Sequence, residues 1–275
     1  MFEFLTLRQK YRLLNPSNKT VEKYFNAGKW EKSKELRFDI FRGACIVNNF
    51  EISCKLFDPV LTNNDEETMH MIAAANSSVE IWDKIKDSVN ISEVNNIGES
   101  IEHFAAYSQH PEIIESLNFK NSDWGWEDDD GITAAAVACE NSIPSVIKAM
   151  NLSKEQLQSP INVDDSDIPT WFLVAKNTEW KEILPVLSLI NSKQLSSSGQ
   201  DFFSYFHEIN SADAEESVAI GRFCGFSEAE IVKQSCEFEN LDEIVPLLNL
   251  TKEDEETLSL VFEENNIQND LQNIV

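Results

Sequence analysis

Apolar and polar positions follow the same order in two long stretches of the chain. The stretch from Ser100 to Leu117 aligns with the stretch from Thr133 to Met150 at an offset of 33 residues. In each, an alanine-rich segment is followed by a polar break and then by a segment rich in Ile or Val. Apolar residues at this spacing are typical of helices that pack one face inward. Each copy is therefore predicted to form a helix, a turn and a second helix.

Weaker copies of the pattern begin near Asp39, Thr68, Thr170 and Ile231. Equivalent positions of the first helix hold small residues in five copies, at Ala44, Ala73, Ala105, Ala138 and Ala175. Small side chains let neighbouring helices approach closely, so these positions predict first helices that stack from one copy to the next.

Prolines and turn residues mark where the second helices begin. Pro111 and Pro144 stand at the predicted first position of a second helix, where the missing N–H is harmless. Pro185 and Pro246 fall four positions deeper and predict irregular last repeats. The preceding turns need a left-handed residue, which Asn provides more readily than Ser, Gln or Glu. The turn positions are Asn48, Ser77, Gln109, Asn141, Glu179 and Asn240.

A Gly-x-Ser/Thr entrance precedes both strong copies, at Gly98 and Gly131. With His103 and Ala105, these residues make the sequence similar to the ankyrin repeat family, whose unit opens with G-x-T-P-L-H-x-A. No copy has the Pro-Leu pair of that signature. The resemblance implies an all-α fold, an α-solenoid of degenerate ankyrin-type helix–turn–helix repeats with helical caps and few or no strands.

Three segments are expected from this reading. Residues 1–37 form an N-terminal helical cap, and residues 38–250 form the ankyrin-like array of about six repeats, irregular at 195–230. Residues 251–275 form a C-terminal capping helix, because Thr251 and the acidic residues after it suit a helix N-terminus.

The net charge narrows the range of partners. The chain of 275 residues has 22 Lys and Arg against 48 Asp and Glu, a formal charge of −26. Such a field repels the phosphate backbone, which argues against direct nucleic-acid binding. It attracts basic proteins and keeps the protein soluble as a monomer. We therefore expect a basic protein partner, with solubility alone as the alternative role of the charge.

The sequence also predicts where the protein is found. No apolar run approaches the roughly 18–20 residues of a membrane span, and the first residues do not form a Sec-type signal. The five cysteines include no C-x-x-C pair, which fits free thiols in a reducing compartment. We expect a cytoplasmic protein, or one secreted without a cleaved signal into a host cell. The Asn-, Lys- and Ile-rich composition resembles ankyrin-type effectors of intracellular bacteria, which implies a role in host–pathogen interaction.

Motifs for catalysis and cofactor binding were not found. The sequence has no G-x-x-x-x-G-K-S/T loop, no G-x-S-x-G elbow and no H-E-x-x-H pair. His207 lacks a second histidine at metal-binding distance, and a turn is predicted between His103 and His110. The sequence therefore predicts no enzyme, no catalytic residues, no metal and no cofactor. His103 is expected to tether a helix to a turn.

The candidate contacts for a partner lie between repeats, where ankyrin arrays have projecting hairpin fingers. Two tryptophans precede a run of acidic residues there, and this combines apolar area with charge. A further tryptophan stands at the start of the fifth unit. Either these indoles contact a partner or they cover the adjacent repeat. The predicted partner-binding residues are Trp124, Trp126, Asp128, Asp129, Asp130 and Trp171.

The chain is thus interpreted as a non-catalytic protein–protein interaction module that binds a basic protein surface or peptide through an acidic concave face and the inter-repeat fingers. Two alternatives remain open at this point. An acidic solenoid can mimic nucleic acid and inhibit a DNA- or RNA-binding protein. A cryptic enzyme in the divergent 190–230 region would need His207, Tyr205 and Cys224 to converge in a pocket.

Overall fold

The computed structural model describes residues 16–119, 122–163, 166–187, 190, 192–210, 212–235, 241–251 and 254. This part of the chain is mostly helical and contains one two-stranded antiparallel sheet, which confirms the all-α prediction at this level. The chain divides into two compact units. Unit 1 runs to Leu157 and includes Glu179–Ser188, and unit 2 comprises Gln158–Thr178 with the chain from Leu189 onward.

The described part of unit 1 has one single helix, four helix pairs and short closing helices. The first helix is α1 (Asn18–Asn26), followed by a 3₁₀ turn at Lys29–Lys32. The pairs are α2 (Lys34–Ile46) with α3 (Phe50–Leu56), α4 (Met69–Asn76) with α5 (Val79–Ile85), α6 (Ile101–Ala105) with α7 (Pro111–Asn118), and α8 (Ala134–Asn141) with α9 (Pro144–Met150). Short helices α10 (Lys154–Gln158) and α11 (Trp180–Ile183) follow.

The helix pairs of unit 1 form two rows. Helices α2, α4, α6 and α8 contact one another in that order, and α3, α5, α7, α9 and α11 do the same. Ala44, Ala73, Ala105 and Ala138 are fully buried in the first row. Small residues at these sites allow adjacent helices to pack closely, as the repeat pattern predicted.

The helix starts follow the sequence signals, whereas among the described turn positions only Asn48 has the left-handed backbone that was expected. Pro111 and Pro144 occupy the first turns of α7 and α9, as predicted. Asn48 takes the left-handed conformation, with φ of 53°, between α2 and α3. Ser77 has extended backbone instead, with φ of −91° and ψ of 160°, and precedes Ser78, whose side chain caps α5. The turn before α5 therefore does not need the left-handed residue expected there.

Unit 2 begins with the hairpin of β1 (Pro160–Val163) and β2 (Ser166–Pro169), in which Ile161 pairs with Ile168. A 3₁₀ helix at Thr170–Lys176 follows. Among the described residues, the helices that follow are α12 (Phe202–Ile209), α13 (Ala214–Phe223), α14 (Glu228–Ser235) and α15 (Leu241–Ile244).

The two deeper prolines interrupt short helices, as predicted. Helix α11 ends after four residues and continues as a 3₁₀ turn, Leu184–Val186, that contains Pro185. Helix α15 likewise continues as Val245–Leu247, around Pro246. The predicted C-terminal capping helix lies outside the described residues, apart from Thr251 and Asp254. Within the described part of the chain, none of the helices has the length and apolarity to cross a membrane.

Candidate functional site

Three hairpin turns, called fingers here, connect successive helix pairs of unit 1. Each is closed by one antiparallel β-bridge between its two ends. Finger 1 runs from Thr62 to Thr68, finger 2 from Val94 to Ser100, and finger 3 from Glu127 to Thr133. The last residue of each finger stands directly before the first helix of the next pair. The fingers therefore lie where the sequence predicted projecting loops.

Each finger is held by the side chain of its second residue. In this role are Asn63, Asn95 and Asp128. Their Oδ1 atoms accept hydrogen bonds from the backbone N–H groups two and four positions later, at 2.8–3.2 Å. Asp128, predicted to contact a partner, thus uses its carboxylate inside its own finger. Its predicted role becomes the shaping of finger 3.

The fifth residue of each finger has a left-handed backbone. Gly98 and Gly131 occupy this position in fingers 2 and 3, with φ of 80° and 77°. Finger 1 has Glu66 there, with φ of 61°. A residue with a β-carbon is disfavoured in this conformation, whereas glycine tolerates it. Finger 1 therefore carries a side chain where its counterparts carry none.

Adjacent fingers are joined by backbone hydrogen bonds. The N–H of Asn96 donates to the carbonyl of Asp65 at 3.0 Å, and the N–H of Asp129 donates to the carbonyl of Ile97 at 3.0 Å. The indole Nε1 of Trp126 also donates to the carbonyl of Gly98, at 3.2 Å. These bonds fix the positions of the three fingers relative to one another.

His103 links finger 3 to the helix pair before it. Its Nδ1 accepts a hydrogen bond from the N–H of Ser100 at 3.2 Å. Its Nε2 therefore carries the proton in the neutral ring and donates to the carbonyl of Ile132, 3.0 Å away. His103 is almost fully buried. This geometry is the helix-to-turn tether predicted for it.

The structure separates the predicted contact residues into two groups. Asp129 and Asp130 lie on the surface of finger 3, and Trp126, directly before finger 3, is 50% exposed. Trp124 is 4% exposed, and its Nε1 donates to Asn118 Oδ1 at 2.9 Å. Its indole covers the interior of unit 1, which was the alternative role considered for the tryptophans. Trp124 is therefore not kept as a surface contact.

Trp171 is fully buried in unit 2. Its ring lies 4.7 Å from Phe172, 4.5 Å from Phe202 and 6.2 Å from Phe223, measured between ring centroids. These aromatic contacts make Trp171 a core residue, since the side chain offers no surface to a partner. It is removed from the candidate site for this reason.

The structure adds residues that the sequence motifs did not indicate. Val60, Val94 and Ile97 are large apolar side chains exposed by 86%, 39% and 48% on or beside fingers 1 and 2. A sequence signal for the fingers was present, because Asn63, Asn95 and Asp128 each stand five residues before a Ser or Thr helix cap. That spacing identifies three fingers, where the tryptophans drew attention to one.

The residues of the cryptic-enzyme alternative all lie in unit 2. Tyr205 and Cys224 are buried, and burial raises the pKa of Cys224 to about 12. Its thiol therefore stays protonated at neutral pH and supplies no thiolate nucleophile. His207 Nδ1 lies 2.9 Å from the carbonyl of Phe203, and its Nε2 lies 2.8 Å from Ser217 Oγ. Across the described residues, no group of three or more metal-ligating side chains is found.

No protein-family model matches the sequence, and no curated protein does. Among solved structures, 91 chains match. One match is to a chain in the structure of Bd0816, a predatory endopeptidase from Bdellovibrio bacteriovorus, in complex with immunity protein Bd3460. It covers 66% of this chain and 96% of that chain, at 18% identity and a TM-score of 0.48.

This comparison contradicts the prediction that the chain is not an enzyme, because the matched structure contains an endopeptidase. The prediction that the chain is not an enzyme is therefore withdrawn. A likeness at this identity and TM-score assigns no activity and no catalytic residue to the chain.

Proposed function

We propose that the chain contains ankyrin-type repeats and that fingers 1 to 3 of unit 1 bind a basic surface on another protein. The repeat assignment is supported by the ordered rows of helix pairs and by His103, which matches the histidine of the ankyrin signature and tethers the next finger. Fingers between helix pairs are the surface through which such a repeat array meets its partners.

The observation that carries the binding proposal is the acidity of the finger tips. Asp65, Glu66, Asp129 and Asp130 are exposed, and within the described residues none of them forms an ion pair. Asp58, outside the fingers, does pair with a cation, Arg37, at 3.4 Å, and Glu67 near the end of finger 1 pairs with Arg42 at 3.0 Å. The tips therefore keep an uncompensated negative charge, which steers a positively charged partner.

Apolar area lies beside this charge. Trp126, directly before finger 3, and Ile97, on finger 2, are each about half exposed. Aromatic anchors next to charged groups are frequent energetic centres of protein interfaces. The backbone bonds between fingers hold these groups in place before binding, which lowers the entropy cost of association.

The experiment is a selection from a random peptide library on the full chain, followed by affinity measurements at several salt concentrations. Sequences rich in Lys and Arg are expected to be enriched. The variant Trp126→Ala/Asp129→Asn/Asp130→Asn should weaken a selected peptide by about tenfold or more, or 1.4 kcal/mol. The affinity should also fall as salt screens the charges.

A charge-matched control separates the fingers from the general acidity of the protein. Glu80 and Glu112 are exposed acidic residues on second-row helices. The variant Glu80→Gln/Glu112→Gln removes the same number of charges as the two finger substitutions at Asp129 and Asp130. It should leave affinity within about threefold of wild type. Equal weakening by both variants would contradict a finger-specific site.

A further inference from the structure

A recess opens between fingers 1 and 2 of unit 1. Its lining comprises Pro59, Val60, Thr62, Glu66, Thr68, Glu93 and Val94. The cavity volume of about 280 Å³ lies just below the ~300–1,000 Å³ typical of small-molecule sites. The recess therefore has room for one long side chain of a partner.

One wall of the recess is apolar and uncovered. Val60 is 86% exposed, Val94 is 39% exposed, and Pro59 is exposed beside them. Nothing in the described part of the chain covers these side chains. The aliphatic stem of Lys or Arg gains free energy by lying along such a surface while its charged end remains near polar groups.

The other contribution is negative charge. Glu66 and Glu93 both line the recess, and neither forms an ion pair with a cation of the described residues. Glu93 Oε1 accepts a hydrogen bond from the side-chain amide of Asn90 at 3.3 Å. Because this amide is neutral, the bond does not compensate the charge of Glu93. Arg42 pairs with Glu67 instead. A recess with an apolar wall and two carboxylates that form no ion pair within the described residues is complementary to a long cationic side chain.

The backbone at Glu66 points the same way. Gly98 and Gly131 occupy the left-handed position in fingers 2 and 3, whereas Glu66 occupies it in finger 1. A side chain in this conformation carries a conformational cost, and such a cost is often found at functional positions. The carboxylate that finger 1 gains in exchange is one that lines the recess.

We propose that this recess is a subsite for a single Lys or Arg side chain of a bound basic segment. The stem of that side chain lies along Val60 and Val94, and its cation pairs with Glu66 and Glu93. The inference rests on the proposed binding of a basic protein and names the chemistry that one part of the surface recognises.

The test uses small probes that need no protein partner. Nα-acetyl-arginine amide and Nα-acetyl-lysine amide are titrated into the full chain, with the neutral analogues of citrulline and norleucine as controls. Binding is followed by amide chemical shifts. The cationic probes should shift the amides of Val60, Thr62 and Val94, and the neutral ones should bind about tenfold more weakly or not at all. Equal binding of the norleucine probe would overturn the charge-specific subsite.

Two variants complete the test. Glu66→Gly removes a carboxylate and places glycine at the left-handed position, so it should raise the melting temperature while weakening cation binding. A loss of binding in this variant therefore cannot come from misfolding. Glu93→Gln should weaken binding as well, whereas Asp129→Asn/Asp130→Asn, on finger 3, should not. Wild-type cation binding in Glu66→Gly/Glu93→Gln would overturn the proposal.

The selected basic peptide distinguishes this inference from the proposed function. If the peptide binds and loses affinity in the finger 3 variant, but the small probes do not bind the recess, the subsite fails and the proposed function stands. If the probes bind the recess but no basic peptide is selected, the recess is a cation site and the wider function fails.

Discussion

The imidazole of His103 donates a hydrogen bond from Nε2 to the carbonyl oxygen of Ile132, which lies 3.0 Å away and 29 residues further along the chain. The same ring accepts a hydrogen bond at Nδ1 from the N–H of Ser100. One buried side chain therefore completes the start of α6 and fixes the base of finger 3. Because this contact joins finger 3 to the preceding helix pair, the position of the candidate binding surface depends on how the helix pairs pack.

Replacing His103 with Leu should destabilise unit 1 and loosen finger 3. The substitution leaves the carbonyl of Ile132 and the N–H of Ser100 without their partner, at a cost of about 1–3 kcal/mol for buried groups. Thermal unfolding should show a lower midpoint, and the amide of Asp129 should exchange faster with solvent. His110→Gln, at a half-buried position, is the matched control and should change neither.

Gly98→Ala should be more destabilising than Gly131→Ala, although both residues have positive φ. A β-carbon at Gly98 would lie 2.9 Å from the backbone nitrogen of Asp129, whereas one at Gly131 meets nothing within 4 Å. Both variants bear the left-handed penalty of about 1–2 kcal/mol. Gly98→Ala must also displace finger 3, which breaks the bond between Ile97 and Asp129. Equal free energies of unfolding of the two variants would contradict close packing between fingers 2 and 3.

Glu102→Met should stabilise the protein. Glu102 is 3% exposed in α6, and its Oε2 has no hydrogen-bond partner among the described residues. An apolar side chain of similar length removes this unsatisfied group, a gain of about 1–3 kcal/mol. Chemical denaturation measures the change, with the exposed Glu112→Met as the control. A fall in stability would mean that Glu102 makes a contact through water or another group.

The sequence predicted the elements that repeat and missed those that depend on three-dimensional environment. Pro111 and Pro144 begin helices because proline suits a first turn whatever surrounds it. The neighbouring sequence gives no comparable rule for whether a tryptophan side chain is buried or exposed. Trp124 and Trp126 are two residues apart, yet Trp124 is buried and donates a hydrogen bond to Asn118, whereas Trp126 is half exposed.

The division into two units was not visible in the repeat pattern either. The pattern assigned one array to residues 38–250, whereas Gln158–Thr178 belongs to unit 2 and Glu179–Ser188 to unit 1. Chain order alone does not indicate which core a segment joins. The recess was missed for a similar reason, since Val60 and Val94 come from different repeats and become neighbours through packing.

Thiol labelling should distinguish Cys54 from the other described cysteines. Burial raises the pKa of Cys45 and Cys139 to about 12, and that of Cys224 to about 12 as well. Burial also raises the pKa of Cys54, but this thiol is only partly buried and so stays accessible to a reagent. In the native protein, a thiol reagent at about pH 8 should react first at Cys54, because thiolate and access are both required. Mass spectrometry after partial labelling locates the site, and denaturant should expose the rest.

His207 should make the stability of the protein depend on pH. Burial lowers its pKa below the ordinary value of about 6.5, and the carbonyl of Phe203 and the carboxylates of Asp201 and Glu216 oppose this only in part. The unfolded chain therefore takes up a proton at a higher pH than the folded chain does. The contribution of His207 is fully present above about pH 6.5 and is lost as the pH falls below that value towards its folded pKa.

The measurement combines a titration of the His207 ring by NMR with thermal unfolding of the full chain at several pH values. The ring should titrate below about pH 6.5. The melting temperature should therefore fall as the pH is lowered from neutral into that range. The melting temperature of His207→Gln should fall less steeply over the same pH interval, while that of His110→Gln should follow the wild type. A ring that titrates above its ordinary value would reverse the sign, because the charged imidazole would then be favoured in the folded state by Asp201 and Glu216.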